Sequence, residues 1–104
     1  MLLTQPYRAG DTEGDTRLPG LWGISGRAGW HVLARYNDVT RQVAAETGSP
    51  LIDLASTMPH APESFTDMVH YTKVGAGQIT AQVLSGLCPI LATAFPGKHT
   101  AACP

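Results

Sequence analysis

Charged residues are scarce in this chain, and no run of basic residues occurs. Its 104 residues include seven Lys and Arg and eight Asp and Glu, which give a 14% charged share and a formal net charge of −1. Typical soluble domains carry about 25% charged residues. Because a near-neutral chain offers no electrostatic attraction to nucleic acid or to an anionic membrane surface, neither is expected as a partner.

Long hydrophobic runs are missing as well. No uninterrupted apolar stretch approaches the ~20 residues that span a bilayer, so no transmembrane segment is expected. The first residues lack the basic start and the long apolar centre of a signal peptide. Since we also expect the N-terminus to be truncated, this absence does not assign a cellular compartment.

Cysteine is rare, and its spacing matches no common metal site. Cys88 and Cys103 are the two cysteines, and they form neither a C-x-x-C pair nor a zinc-ligand spacing. Two unconnected thiols are the favoured interpretation. A disulfide that closes the C-terminal tail is the alternative if the protein is secreted.

Histidines are few and scattered along the sequence. His31 and His99 have no recognisable partners nearby. His60, Asp67 and His70 could meet in space, but their spacing is not that of a known ligand run, and a zinc site needs three or four convergent ligands. We therefore predict no metal and no cofactor.

Apolar residues, in contrast, make up 43% of the chain and follow recognisable patterns. Leu2–Gln5 and Leu51–Leu54 are short apolar runs, typical of parallel strands that are buried on both faces. Between them, residues 30–47 carry apolar side chains at helical spacing, and Gly48 supplies a stop. Strand, helix and strand together predict a βαβ unit with a right-handed crossover.

Two loops and a second helix complete the predicted organisation. Residues 7–29 are rich in glycine and polar side chains and predict a long irregular loop. Residues 55–71 form a second loop. Thr72 is then a predicted N-cap for a helix that runs to about Leu87 and ends before Pro89.

The residues best suited to chemistry lie in the second loop. Asp67 and His70 are three residues apart and directly precede a helix. An Asp at this spacing can fold back to accept the Nδ1–H of the histidine, which leaves Nε2 free as a base. A serine near Nε2 would lose its proton as it attacks an ester carbonyl. On spacing alone, however, a solvated loop histidine is the commoner case.

The surroundings of this pair resemble a known enzyme family. Residues 67–75 run Asp-x-x-His, then Thr, then Gly, and an amphipathic helix follows. This order is similar to the last sequence block of the SGNH (GDSL-like) hydrolases. Residues 36–38 and the run at 51–54 look like that family's preceding helix and strand, so that the resemblance covers about 1–91.

The resemblance implies both a fold and an activity. The fold would be an α/β, flavodoxin-like three-layer α/β/α sandwich with a parallel sheet, of which residues 1–91 hold the last two strands and helices, with a poorly ordered tail at 92–104. The activity would be hydrolysis of small-molecule, carbohydrate or lipid esters. Asp67 would orient the imidazole, and His70 would act as general base and then as acid.

Two essential parts of that family's site are absent from the sequence. The nucleophile belongs to a Gly-Asp-Ser block, whereas this chain has Gly-Asp-Thr at 10–12 and 14–16, which turn formation explains better. The oxyanion hole uses an Asn from an earlier loop, but Asn37 lies within a predicted helix and is expected to be a packing or surface position. Met68 also replaces a frequent Gly. We therefore expect an esterase fragment with little activity of its own.

A different class of function fits the same sequence. The chain could be a self-standing small α/β module that binds a ligand or a partner without catalysis. Two strands alone make a marginally stable sheet, which argues against this alternative. The acyl group, the alcohol and the oligomeric state are left open by the sequence.

Overall fold

The structure, a computed structural model, describes residues 1–8, 25–98 and 100–103. These residues are mostly helical. Their elements are, in chain order, strand β1 (Leu2–Leu3), helix α1 (Gly26–Thr47), strand β2 (Leu51–Ile52), the short helix α2 (Leu54–Thr57), a 3-10 turn (Pro62–Ser64) and helix α3 (Lys73–Ala94).

The two strands pair in parallel, as the strand–helix–strand pattern predicts. Leu2 is opposite Leu51 and Leu3 is opposite Ile52. The Leu2 N–H donates to the Pro50 carbonyl at 2.8 Å, so pairing begins one residue before β2. Both strands are shorter than the apolar runs that predict them.

The predicted three-layer α/β/α sandwich is wrong for this structure. The described residues contain two short parallel strands, too few to form a central layer that helices cover on both faces. The strands end early for a local reason. After β1, the backbone of Gln5 bonds to the side chain of Asn37 in place of a neighbouring strand. After β2, Asp53 begins helix α2.

Helix α1 begins earlier than predicted and ends where predicted. The Ser25 side chain accepts a hydrogen bond from the Ala28 N–H and caps the helix, which therefore starts at Gly26 rather than at Trp30. At the other end, Gly48 adopts the left-handed conformation, with φ of 64°, that favours glycine. Residues 9–24, which make up most of the predicted long loop, lie outside the described ranges.

Helix α3 has the predicted N-cap but not the predicted end. The Thr72 hydroxyl accepts a hydrogen bond from the Gly75 N–H at 3.1 Å. The helix then passes through Pro89 and ends at Ala94. Proline removes the hydrogen bond to the carbonyl four residues earlier, that of Ser85. Because Ser85 and Pro89 are both exposed, water can solvate that carbonyl and the helix continues.

By length and composition, α3 could cross a membrane. It has a stretch of mean hydropathy 1.3, and 6% of that stretch is buried. A single helix of this kind is weak evidence, because core helices of soluble proteins meet the same criteria. The absence of a transmembrane segment therefore stays a prediction.

A disulfide ties the C-terminal residues to α3. Cys88 and Cys103 are bonded, so the expectation of two unconnected thiols is wrong. Thr100 and Cys103 also form an antiparallel bridge. Cys88 and Cys103 are 15 positions apart in the sequence. They meet because the chain turns back along α3 beyond Phe95.

The hydrophobic core is small and lies beside the candidate site. Its buried apolar side chains come from α1, β2, α2 and the loop that leads to α3: Ala44, Ile52, Leu54, Ala55, Met58, Phe65 and Met68. Two of them, Phe65 and Met68, belong to the loop that carries Asp67 and His70. The core therefore anchors this loop directly.

Candidate functional site

The loop before α3 is closed at its base by backbone pairing. Phe65 and Tyr71 form an antiparallel bridge. The Thr66 N–H donates to the His70 carbonyl at 2.8 Å, and the Thr72 N–H donates to the Ser64 carbonyl at 3.0 Å. The four residues 67–70 are thus held at the tip of a narrow, hydrogen-bonded loop.

Asp67 and His70 are in contact at this tip, as their spacing predicts. Asp67 Oδ2 lies 2.6 Å from His70 Nδ1, and Oδ1 accepts the backbone N–H groups of Val69 at 2.9 Å and His70 at 2.8 Å. These bonds, that of the His70 N–H above all, lower the pKa of Asp67 to about 2. The carboxylate is therefore ionised at neutral pH and can only accept hydrogen bonds.

An ionised Asp67 defines the state of the neutral His70 ring. The proton must be on Nδ1, because Nδ1 faces a carboxylate that has none to give. The lone pair of the neutral ring is then on Nε2. The side chain of His70 is 73% exposed, and no hydrogen bond to Nε2 is made within residues 1–8, 25–98 and 100–103. Nε2 is open to a reacting molecule.

Met68 packs beneath the loop and anchors it to the core. Met68 is 2% exposed, and its carbonyl accepts the Arg8 N–H at 2.9 Å. The position at which the resembled family often has Gly is here a buried anchor. The Thr72 hydroxyl also donates to the Glu63 carbonyl at 2.6 Å, which links the start of α3 to the 3-10 turn.

Gly75 allows the close approach of α3 to that turn. A Cβ atom at this position would lie 2.0 Å from the Ser64 carbonyl oxygen, far inside any real contact distance. Only glycine fits such a gap. At Gly77, two residues further along the helix, a Cβ atom would meet nothing within 4 Å. The two glycines of the first turns therefore differ in role.

No serine of the chain is placed to serve as nucleophile. Ser64 is fully buried and donates to Gln78 Oε1 at 2.7 Å. Ser56 donates to Asp53, and Ser25 caps α1. Ser49 bonds to Thr47, and Ser85 lies more than three helical turns beyond His70. The Gly-Asp-Thr motifs at 10–12 and 14–16 are outside the described residues.

Asn37 is one of the packing positions, as expected, but it holds a backbone segment that the sequence did not identify. It is 2% exposed, and its side chain makes two hydrogen bonds to the backbone of Gln5: Oδ1 accepts the N–H at 2.7 Å and Nδ2 donates to the carbonyl at 2.8 Å. It is a buried packing position, not an oxyanion donor. An asparagine on the inner face of an amphipathic helix was the available signal, because buried amides need backbone partners.

Asp53 and Arg41 form a second ion pair, also unforeseen. Arg41 Nε and Nη2 lie 2.8 and 2.9 Å from the two carboxylate oxygens. Thr4 and Ser56 donate to the same carboxylate at 2.7 and 2.9 Å. The guanidinium of Arg41, opposed in part by burial, holds the pKa of Asp53 well below its usual range. An aspartate at the end of an apolar run was the sequence signal.

His60 bonds elsewhere and is not part of the site. His60 Nδ1 lies 2.5 Å from the Tyr7 carbonyl oxygen, and the two rings are in contact. In the described portion of the chain, no three His, Cys, Asp or Glu side chains are grouped to hold a metal ion. His99 lies outside that portion.

Comparison with known proteins gives no neighbour. No family model, no curated protein and no solved structure matches the chain. The geometry of Asp67 and His70 and the residues around them in the sequence are therefore the features that bear on function.

Proposed function

We propose that Asp67 and His70 are the acid–base pair of a carboxylic-ester hydrolase of the SGNH type, and that a polypeptide segment outside these 104 residues provides the serine nucleophile. The observation that carries the proposal is the 2.6 Å contact between Asp67 Oδ2 and His70 Nδ1, with Nε2 directed away from the pair and exposed. The order of residues around the pair supports the same family.

The reaction follows from the protonation states of the pair. The serine Oγ–H would give its proton to His70 Nε2 as Oγ bonds to the carbonyl carbon of the ester. Asp67 would stabilise the imidazolium that forms, without taking a proton. His70 would then pass the proton to the leaving alcohol oxygen as the carbon–oxygen bond breaks. Water would repeat the cycle on the acyl-serine and release the acid.

Two features favour this role over that of a solvated loop histidine. All three described bonds to Asp67 come from Val69 and His70, so the carboxylate serves only the loop tip. The loop is closed by the Phe65–Tyr71 bridge and does not depend on the ion pair for its closure.

The first test is a spectroscopic one on the whole chain. We expect ¹⁵N chemical shifts of the labelled protein to show neutral His70 with its proton on Nδ1. His31 is the matched reference because it is exposed and has no carboxylate bonded to its ring among the described residues. Equal tautomer ratios for His70 and His31 would overturn the proposal and favour the non-catalytic binding module.

The second test is hydrolysis of p-nitrophenyl acetate. We expect the chain alone to react slowly, because none of its serines lies at Nε2, and we expect His70→Ala to remove most of the chain-dependent rate. His31→Ala is the control and should leave the rate unchanged. Equal effects of the two substitutions would contradict a special role for His70. Fast turnover with an acyl group on one of the chain's own hydroxyls would refute the external nucleophile.

A further inference from the structure

We infer that Gln5 and Tyr71 are positioning residues that orient the His70 imidazole, through a hydrogen-bonded connection from α1 to the base of the loop. The inference rests on the proposed function, since it assigns these residues a part in the work of the Asp67–His70 pair. It concerns the short segment after β1, residues 4–8, which lies against the loop.

The connection starts at a fixed point in the interior. Both backbone groups of Gln5 are bonded to the buried side chain of Asn37, which therefore acts as a substitute for a neighbouring strand. On either side, Thr4 is 2% exposed and Pro6 is fully buried. With its backbone and both neighbours held in this way, Gln5 can direct its own side chain to one place.

That side chain reaches the loop. Gln5 Nε2 donates to the Tyr71 hydroxyl at 2.6 Å and to the Pro6 carbonyl at 3.1 Å, so both amide protons are used. The Tyr71 ring packs against Phe65 with ring centroids 5.6 Å apart. Tyr71 is thus held at its hydroxyl by Gln5 and at its ring and backbone by Phe65.

Tyr71 follows His70 in the chain. The His70 ring is exposed and needs neighbouring residues to hold its orientation. The imidazole is mostly exposed, and its bond to Asp67 is the side-chain contact that orients it. The direction of the ring therefore depends on how the backbone at residues 70 and 71 is held. The Arg8 N–H bond to the Met68 carbonyl is a second connection between the same two segments. Together the two connections fix the loop tip relative to β1.

The test removes the Gln5–Tyr71 hydrogen bond and reads the His70 ring. Tyr71→Phe keeps the aromatic ring and the backbone bridge but deletes the hydroxyl, and Gln5→Ala deletes the donor. Each should shift the His70 tautomer equilibrium toward that of His31 by about two- to tenfold, the range of one hydrogen bond. The double variant should shift it no further than the larger single change, because both substitutions break one bond.

Tyr36→Phe is the matched control, since Tyr36 is 69% exposed on α1, and it should leave His70 unchanged. Amide spectra of every variant establish that it is folded. If the wild-type His70 ring keeps its proton on Nδ1 and both Tyr71→Phe and Gln5→Ala leave that state intact, the positioning role is refuted while the proposed function stands. If the wild-type ring shows no preference for Nδ1–H, the proposed function itself fails.

Discussion

Asp53 and Asp67 are both aspartates paired with a basic side chain, yet their surroundings differ. Two donors to Asp53 come from distant parts of the chain, Thr4 after β1 and Arg41 on α1, and a third, Ser56, lies three residues away on α2. The donors to Asp67 come from the next three residues. One carboxylate joins elements of the fold, whereas the other organises a single turn.

The basic partners differ in the same sense. Arg41 bonds to both oxygens of Asp53 and also to Asp38, and a guanidinium is not deprotonated in the working pH range. His70 bonds through one ring nitrogen and exposes the other, and histidine is the side chain suited to proton transfer near neutral pH. The Arg41–Asp53 pair is therefore suited to stabilise the fold, whereas the Asp67–His70 pair keeps a ring nitrogen with no partner among the described residues, which is suited to take up a proton.

The largest effect that we expect comes from Gly75→Ala. The new Cβ atom would lie 2.0 Å from a backbone oxygen of Ser64, so the helix or the turn must move, at a cost of about 3 kcal/mol. Gly77→Ala is the control, has no atom within 4 Å of its Cβ position, and should stabilise α3 by up to about 1 kcal/mol. Urea unfolding of both variants measures the difference; equal effects would show that the candidate loop does not depend on this packing.

Asp53→Asn should lower the free energy of unfolding by about 2 kcal/mol, because it leaves the partly buried Arg41 without its main charge partner. Asp38→Asn removes the other carboxylate bonded to Arg41, but Asp38 is 54% exposed, and its loss should cost less than about 0.5 kcal/mol. Denaturant unfolding of the two variants compares them directly. Similar losses would contradict the structural role assigned to Asp53.

Asp67→Asn should change stability by less than about 1 kcal/mol, since an asparagine oxygen can still accept the N–H groups of Val69 and His70. The tautomer of His70 should change in spite of that, because a neutral amide no longer requires the proton on Nδ1. Unfolding curves and ¹⁵N shifts recorded on the same sample separate the two effects. A large loss of stability would place Asp67 with Asp53 among the structural carboxylates.

The smallest effect is expected in acid. The pKa of Asp67 is lowered to about 2 by its hydrogen bonds, against about 3.9 in an unfolded chain. A depressed pKa contributes stability above the unfolded value, and that contribution disappears as pH falls from about 4 to about 2. The stability gap between wild type and Asp67→Asn should close over this interval. A gap that is constant down to pH 2 would contradict the lowered pKa.

Prediction from the sequence succeeded where the determining contacts are near in the chain. The Thr72 cap, the Gly48 stop and the contact between Asp67 and His70 each depend on residues within about one turn. It failed where short patterns were extended to a whole fold, as with the three-layer sandwich. The predicted helix end before Pro89 is also wrong, because the sequence does not show that this position is exposed.

The sequence by itself determined that Asp67 and His70 meet, since an Asp three residues before a His can close on it through local bonds. Tertiary structure decided the rest of the site. The bonds from Asn37 to Gln5, from Thr4 to Asp53 and from Gln5 to Tyr71 join residues 32, 49 and 66 positions apart. The physical reason is that such bonds form only after the chain has brought distant segments together, and no local preference specifies which segments these are.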